Sequence, residues 1–344
     1  MANTTNQLRI IGFACKWIDN PSQVNGIKPK DDAKQYNTGS TTVAWLNRQS
    51  RDVAEQKLWD LMENNINAIY KLVERVSGLK ENLRMVRLSS DILPVYTEPT
   101  WGYFWRDSRV RAKCAEGFAR IGEIARKNSV RLSMHPGQFT VLASDNPDIV
   151  ERSIEEFEYH VDMARWMGYG KSFQDFKINV HISGRAGPQG IIDVLSRLSP
   201  EARNCITIEN EENAWGLDST LELQKHCALV LDIHHHWCRE GEYIQPTDDR
   251  VLRVIDSWRG VRPVIHYSYS RAEYVGHIDN ELPSMSLLLE QGFKKQKLRA
   301  HSDFYPNHTV NEWALSHSAW ADIMCESKAK NLASFELAKQ AKLI

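Results

Sequence analysis

Short apolar, β-branched runs recur along the chain at 8–15, 83–89, 129–135, 176–182, 204–210, 228–233, 262–268 and 321–326. Segments of helical period separate most of them, most clearly at 51–77, 108–127, 147–168 and 217–226. Asp218, Ser219 and Thr220 supply a capped start for the last of these. Strand and helix alternating through eight strands predict an α/β fold, a parallel (β/α)8 or TIM barrel. In that fold functional side chains gather at the C-terminal ends of the strands. No linker or internal repeat divides the sequence, so residues 1–344 are expected to form a single barrel domain. Two stretches break the alternation and are expected as long loops: 16–50, with Pro21, Gly26, Pro29 and Gly39, and 269–308. The run 298–301 resembles a strand. The eighth strand is placed at 321–326 instead, because a helical segment over 328–342 follows it directly.

Most of the runs end on, or just before, a potential metal ligand: His135, His181, Glu209, Asp232 with His235, His266 and Glu326, with His301 in the second long loop. A lone histidine in an apolar run is ordinarily a hydrogen-bonded core residue, and a strand-end glutamate ordinarily caps a helix or pairs with arginine. The repetition at successive strand ends changes the balance, because a barrel brings those ends to one place. Five imidazoles and three carboxylates exceed the needs of one ion, which predicts two or three. Mixed nitrogen and oxygen donors suit Mn²⁺, Zn²⁺ or Fe²⁺ better than Mg²⁺ or Ca²⁺. Such clusters activate water for hydrolysis. At most some of His234, His235 and His236 can face one site.

Composition narrows the classes further. Hydrophobic content of 42% and charged content of 25% suit a globular protein with a sizeable core. A net charge of −1 gives no global signal for nucleic acid, so any phosphate-binding face must be local. Six cysteines lie far apart without a C-x-x-C pair, and Cys205, Cys227 and Cys325 read as buried thiols. With no signal peptide evident, a reducing cytoplasm is the expected compartment. No apolar run reaches the ~20 residues of a membrane span.

The chain resembles the UV damage endonucleases, relatives of the endonuclease IV apurinic-site nucleases among the xylose-isomerase-like barrels. The resemblance rests on R-I-I-G-F-A-C at 9–15, R-L-S-S-D-I-L-P at 87–94, S-M-H-P-G-Q-F-T at 133–140, I-E-N-E at 208–211, L-D-I-H-H-H at 231–236, V-I-H-Y-S at 264–268, A-H-S-D-F at 300–304 and D-I-M-C-E-S-K at 322–328. It implies nicking of the damaged strand of double-stranded DNA immediately 5′ to a UV photoproduct, by a protein expected to be a monomer. It implies two or three divalent ions, Mn²⁺ foremost with Zn²⁺ or Mg²⁺ as alternatives. Glu209 would bridge ions, with His135 and His266 beside it as catalytic residues. Gln138 and Phe139 fall on the damage-probing positions, and Phe13 on a further aromatic DNA contact. A wedge of this kind fills the space a flipped lesion leaves. Lys294, Lys295, Lys297 and Arg299, just before His301, are the local basic segment for the DNA backbone; the ordinary reading is a solvated charge run. Arg9 and Arg87 are expected to organise the barrel or its ligands.

Two positions depart from the family pattern. Val264 stands two residues before His266 where a lysine that can be carboxylated is usual, so no carbamate bridge can form there. Glu98 stands where a further histidine ligand is usual; it can serve as a metal ligand or be a solvated loop residue. An endonuclease IV-like apurinic-site nuclease and a sugar isomerase on the same barrel are the rival enzymes, and a catalytically silent damage-binding protein is the rival outside catalysis.

Overall fold

The computed structural model describes residues 8–20, 32–275 and 281–344. Eight short parallel strands make one sheet: β1 (Ile11–Ala14), β2 (Met85–Arg87), β3 (Arg131–Met134), β4 (Lys177–His181), β5 (Ile206–Glu209), β6 (Ala228–Val230), β7 (Val264–Tyr267) and β8 (Asp322–Cys325). Their order is β6-β5-β4-β3-β2-β1-β8-β7. The two outer members then meet through a single bridge, Asp232 to His266, and a hydrogen bond from His266 N–H to the Leu231 carbonyl at 3.1 Å. The sheet thus closes into a barrel whose seam lies between β6 and β7. All eight strands fall within the expected runs.

Helices α1 (Arg51–Ser77), α2 (Ser108–Lys127), α3 (Pro147–Trp166), α4 (Gly187–Leu195), α5 (Ile233–Glu240), α6 (Asp249–Ser257) and α7 (His308–Ser316) lie between strands, and α8 (Lys330–Gln340) follows β8. Several begin where the sequence supplies a side-chain cap: Asp107 for α2, Asn146 for α3 and Asp232 for α5 each accept a backbone N–H of the first turn. The segment after β5 is a correction. Its helix runs only over Leu217–Thr220 behind Gly216, then tightens to a 3-10 turn at Leu221–Leu223, so Asp218, Ser219 and Thr220 lie inside it rather than at its cap. The long stretches also hold short helices, at Val43–Leu46, Met285–Glu290 and Lys295–Leu298. Residues 21–31 of the first expected loop lie outside the described residues. No helix among those described is long and apolar enough to cross a membrane.

Strand parity divides the core. On β4, Ile178 and Val180 join the main apolar cluster, while Lys177 and Asn179 turn toward the polar groups of the lumen. A second cluster, built from Ala14, Met85, Val230, Val264 and Met324, lies within the barrel. Gly12 is required there: a Cβ would stand 2.6 Å from the Met85 carbonyl oxygen. At the N-terminal mouth Asp322 accepts Arg131 Nη1 at 2.6 Å, Arg262 Nε at 2.7 Å and the Ile10 N–H at 3.1 Å. One buried carboxylate therefore ties the starts of β1, β3, β7 and β8. Charges placed at that end serve stability.

Candidate metal centre

Glu209, the last residue of β5, is fully buried, and its two carboxylate oxygens face different neighbours. Oε2 lies 3.4 Å from His135 Nε2 and 3.9 Å from His181 Nε2. Oε1 lies 2.9 Å from His266 Nδ1 and 3.7 Å from His235 Nδ1. Two potential cation sites follow, one from His135, His181 and Glu209 and one from Glu209, Asp232 and His266. Glu209 belongs to both. The histidines reach it from β4, β7, the turn after β3 and the first turn of α5, and parallel register sets His181 directly beside Glu209.

The surrounding contacts orient these groups. His135 Nδ1 is 2.9 Å from the Pro136 carbonyl, which leaves Nε2 toward Glu209. His235 Nδ1 is 3.1 Å from the Asn210 carbonyl, and its Nε2 looks to Asp232 Oδ2 at 3.8 Å and Glu212 Oε2 at 3.7 Å. Asn179 donates to Glu209 Oε2 and accepts from Thr207 Oγ1. Glu326 Oε1 is paired with Arg87 and sits 3.3 Å from His266 Nδ1. Burial opposes the charge on Glu209, yet His266 and His181 hold the carboxyl well below the usual range. Asp232 goes the other way: burial, with Glu209 and Glu326 adding, raises it well above that range. Its Oδ2 is buried with no hydrogen-bond partner. An orphaned buried carboxylate oxygen beside imidazoles and a second carboxylate fits a divalent cation, which would satisfy it.

The remaining expected residues separate. His301 lies at the edge, its Nδ1 3.1 Å from the Glu326 carbonyl and its ring against Ser268 Oγ at 3.3 Å. Of the histidine triplet only His235 faces Glu209; His234 goes to Ser270 Oγ at 3.1 Å and His236 to Glu242 at 3.1 Å. Glu98 is engaged elsewhere, its Oε2 accepting the N–H groups of Thr100 and Trp101 at 2.9 and 2.8 Å. It serves the turn before a short helix rather than the cluster. Phe13 is also a correction: it is 1% exposed and edge-on to Trp17 at 5.8 Å, in the core and not at a DNA-facing surface. Gln138 and Phe139 are exposed on the loop after β3, Phe139 at 87%. Lys294, Lys295 and Lys297 are exposed, and Lys295 Nζ donates to the Arg239 carbonyl at 2.7 Å. Arg299 is half-buried, pairs with Glu212 and lines a cleft of about 150 Å³ with Gln138, His181, Glu212 and His235.

Sequence reading overlooked Lys177, Asn179, Asn210 and Glu212. The signal for the first two is parity: Lys177 and Asn179 sit four and two residues before His181 and share its face of β4. Lys177 is 3% exposed, with Nζ 2.9 Å from His266 Nε2. Burial brings its ammonium down to about 7 against the pull of Glu209. Val264 is buried as an apolar residue of the lumen, so the lysine that reaches His266 comes from across the barrel. Asn210 clamps Asp232, accepting its N–H at 2.8 Å and donating to its carbonyl at 3.1 Å.

Comparison with known proteins agrees with this architecture. Residues 26–344 match the family model described as UV-endonuclease UvdE. The chain is 24% identical over 317 residues to the UV DNA damage endonuclease of Bacillus cereus (strain B4264), covering 86% of each chain. It is 25% identical over 322 residues to that of Bacillus velezensis, covering 88% of each. Among solved structures it is similar to SacUVDE, with a TM-score of 0.72 at 22% identity over 98% of this chain and 99% of that one. It is also similar to endonuclease IV from Thermus thermophilus, with a TM-score of 0.52 at 13% identity over 80% and 94%. The chain is a DNA endonuclease of the UV-endonuclease UvdE family.

Proposed function

We propose that this endonuclease hydrolyses the phosphodiester immediately 5′ to a UV photoproduct in duplex DNA, using two or three divalent cations, Mn²⁺ foremost, and working as a monomer. The observation that carries the reading is Glu209, whose two oxygens face the two ligand groups. His135, His181, Glu209, Asp232, His235, His266 and Glu326 would hold the cations, with His301 at the margin. Bound there, the cations supply Lewis acidity and activate water for in-line attack at phosphorus. The chain's own residues prepare the site. Asn179 fixes the Glu209 carboxylate, Arg87 fixes Glu326, and Asn210 fixes the backbone of Asp232. Gln138 and Phe139 form the wedge that takes the place of an extruded lesion. Phe139 suits that role because a phenyl ring 87% exposed contributes little to the core. Lys294, Lys297 and Arg299 contact backbone phosphates beside the cleft.

The test incubates metal-free protein, restored with Mn²⁺, with end-labelled duplexes carrying one cyclobutane dimer, one abasic site or no lesion. A single cut 5′ to the dimer is expected. Cutting confined to the abasic duplex would instead assign the endonuclease IV-like activity, and intact duplexes with metal-loaded protein would leave damage binding without cleavage. F139A should cut the dimer duplex roughly 10–100-fold more slowly, the size of a lost base-stacking contact. Its Mn²⁺ affinity and thermal midpoint should stay at wild-type values, and a parallel loss of either would place Phe139 in the fold instead.

A further inference from the structure

The end of β1 and the start of α8 bring three cations to one rim of the metal centre. Arg87 ends β2 in register with Ala14, and its carbonyl accepts the Cys15 N–H at 2.7 Å. Its guanidinium is paired with Glu326, the residue directly after β8. Beyond Cys15 the chain runs through Lys16 to Ile18, where a buried side chain of α8 grips the backbone. The Ile18 N–H donates to Asn331 Oδ1 at 2.7 Å, and Asn331 Nδ2 donates to the Ile18 carbonyl at 2.9 Å. Lys330 immediately precedes Asn331, so this clamp holds the Lys16 segment against the turn that carries Lys330.

Neither lysine has a counter-ion. Lys16 is exposed and Lys330 half-buried, and among the described residues neither side chain forms an ion pair or a hydrogen bond. Glu326, which could answer them, is already taken up by Arg87 and lies 3.3 Å from His266 Nδ1. Burial pulls the Lys330 ammonium below the ordinary lysine range, and Arg87 and Lys16 push the same way, against Cys15 and Glu326. Lys330 also holds a left-handed backbone, φ +52°, which a residue with a Cβ keeps only when its surroundings fix it. A partly desolvated cation set among other cations is costly to keep unless an anion arrives to meet it. On an endonuclease the anion that reaches the strand-end rim is DNA phosphate, which lysine binds through charge-assisted hydrogen bonds.

We propose that Lys16 and Lys330 together seat one backbone phosphate of the duplex, beside the phosphodiester that is cut. The proposal rests on the reading above of the strand-end cluster as the place of cutting. It is tested by fluorescence anisotropy of metal-free wild type, K330M, K16M/K330M and K330R on duplexes with one cyclobutane dimer or none, across a salt series. Two lysines on one phosphate account for about one released counterion. The double variant should therefore lower the slope of log binding constant against log salt by about 0.9, and bind about eightfold more weakly near ~0.1 M salt. K330R keeps the charge and its donors and should hold the wild-type slope. The thermal midpoint of K330M should stay at or above wild type, and its Mn²⁺ affinity, followed as free ion by electron paramagnetic resonance, should not change. An unchanged slope in the double variant overturns the proposal. A loss of Mn²⁺ affinity in K330M overturns it too, by making Lys330 a support of Glu326. Should K330M not fold, K330Q replaces it in both variants. Wild type that binds the dimer duplex no more tightly than the undamaged one overturns the photoproduct reading alone, since the slope on undamaged DNA still decides this proposal.

Discussion

Asp232 puts its two oxygens to opposite uses. Oδ1 accepts the N–H groups of His234 and His235 at 2.8 and 2.7 Å and starts α5, while Oδ2 is buried in the lumen without a hydrogen-bond partner. Asparagine caps a helix as well as aspartate does, so D232N keeps the first use and removes the second. Its metal-free thermal midpoint should rise by roughly 2 °C, because a carboxyl that burial already disfavours is gone. The increment in midpoint that Mn²⁺ gives the wild type should shrink sharply; a D232N protein with an undiminished Mn²⁺ increment would remove Asp232 from the site. Residues of this kind were legible in the sequence, since a histidine or carboxylate at a strand end has its direction fixed by the pleat. Phe13 was not. Whether an aromatic at the end of β1 faces DNA depends on what the next segment lays over it, and here Trp17 and, behind it, Phe335 cover the place. Lys177 was overlooked for the converse reason: a strand lysine is ordinarily at the surface, and only the partner across the barrel reveals its direction.

The element that carries the basic segment is a helix of four residues, Lys295–Leu298. It buries Leu298 and leaves Lys294 and Lys297 exposed, while Lys295 is tied to the end of α5 through the Arg239 carbonyl. If the two exposed lysines meet phosphates, K294A/K297A should lower the slope of log binding constant against log salt by about 1.8. Filter binding or anisotropy across a salt series measures it, and an unchanged slope would return these residues to a solvated surface. Eight strands and the long helices were legible because alternation and a 3.6-residue period accumulate over many positions. Four-residue helices inside the two long stretches show no period at all, and the helix after β5 begins at Leu217, directly after an extended Gly216 and ahead of the residues expected to cap it.

At the scale of the molecule, acid should act through buried imidazoles remote from the metal centre. His160 in α3 and His317 after α7 are each pushed down to about 4 by burial. Both rings are neutral in the fold, whereas the unfolded chain takes up protons from about pH 6.5 downward. The native state gains nothing from those protons, so stability is whole above that value and falls as pH descends toward 4. The two together amount to a few kcal/mol at the order of magnitude. Urea midpoints of metal-free protein across that window should decline with acid, and a flat profile would contradict the burial of these rings. The seam between β6 and β7 has its own consequence. The hoop is stitched at every other junction by a strand pair, and here chiefly by Asp232 and His266. Because those contacts run through backbone, the ring stays shut whichever side chains stand at 232 and 266, and the clasp aims both of them into one lumen.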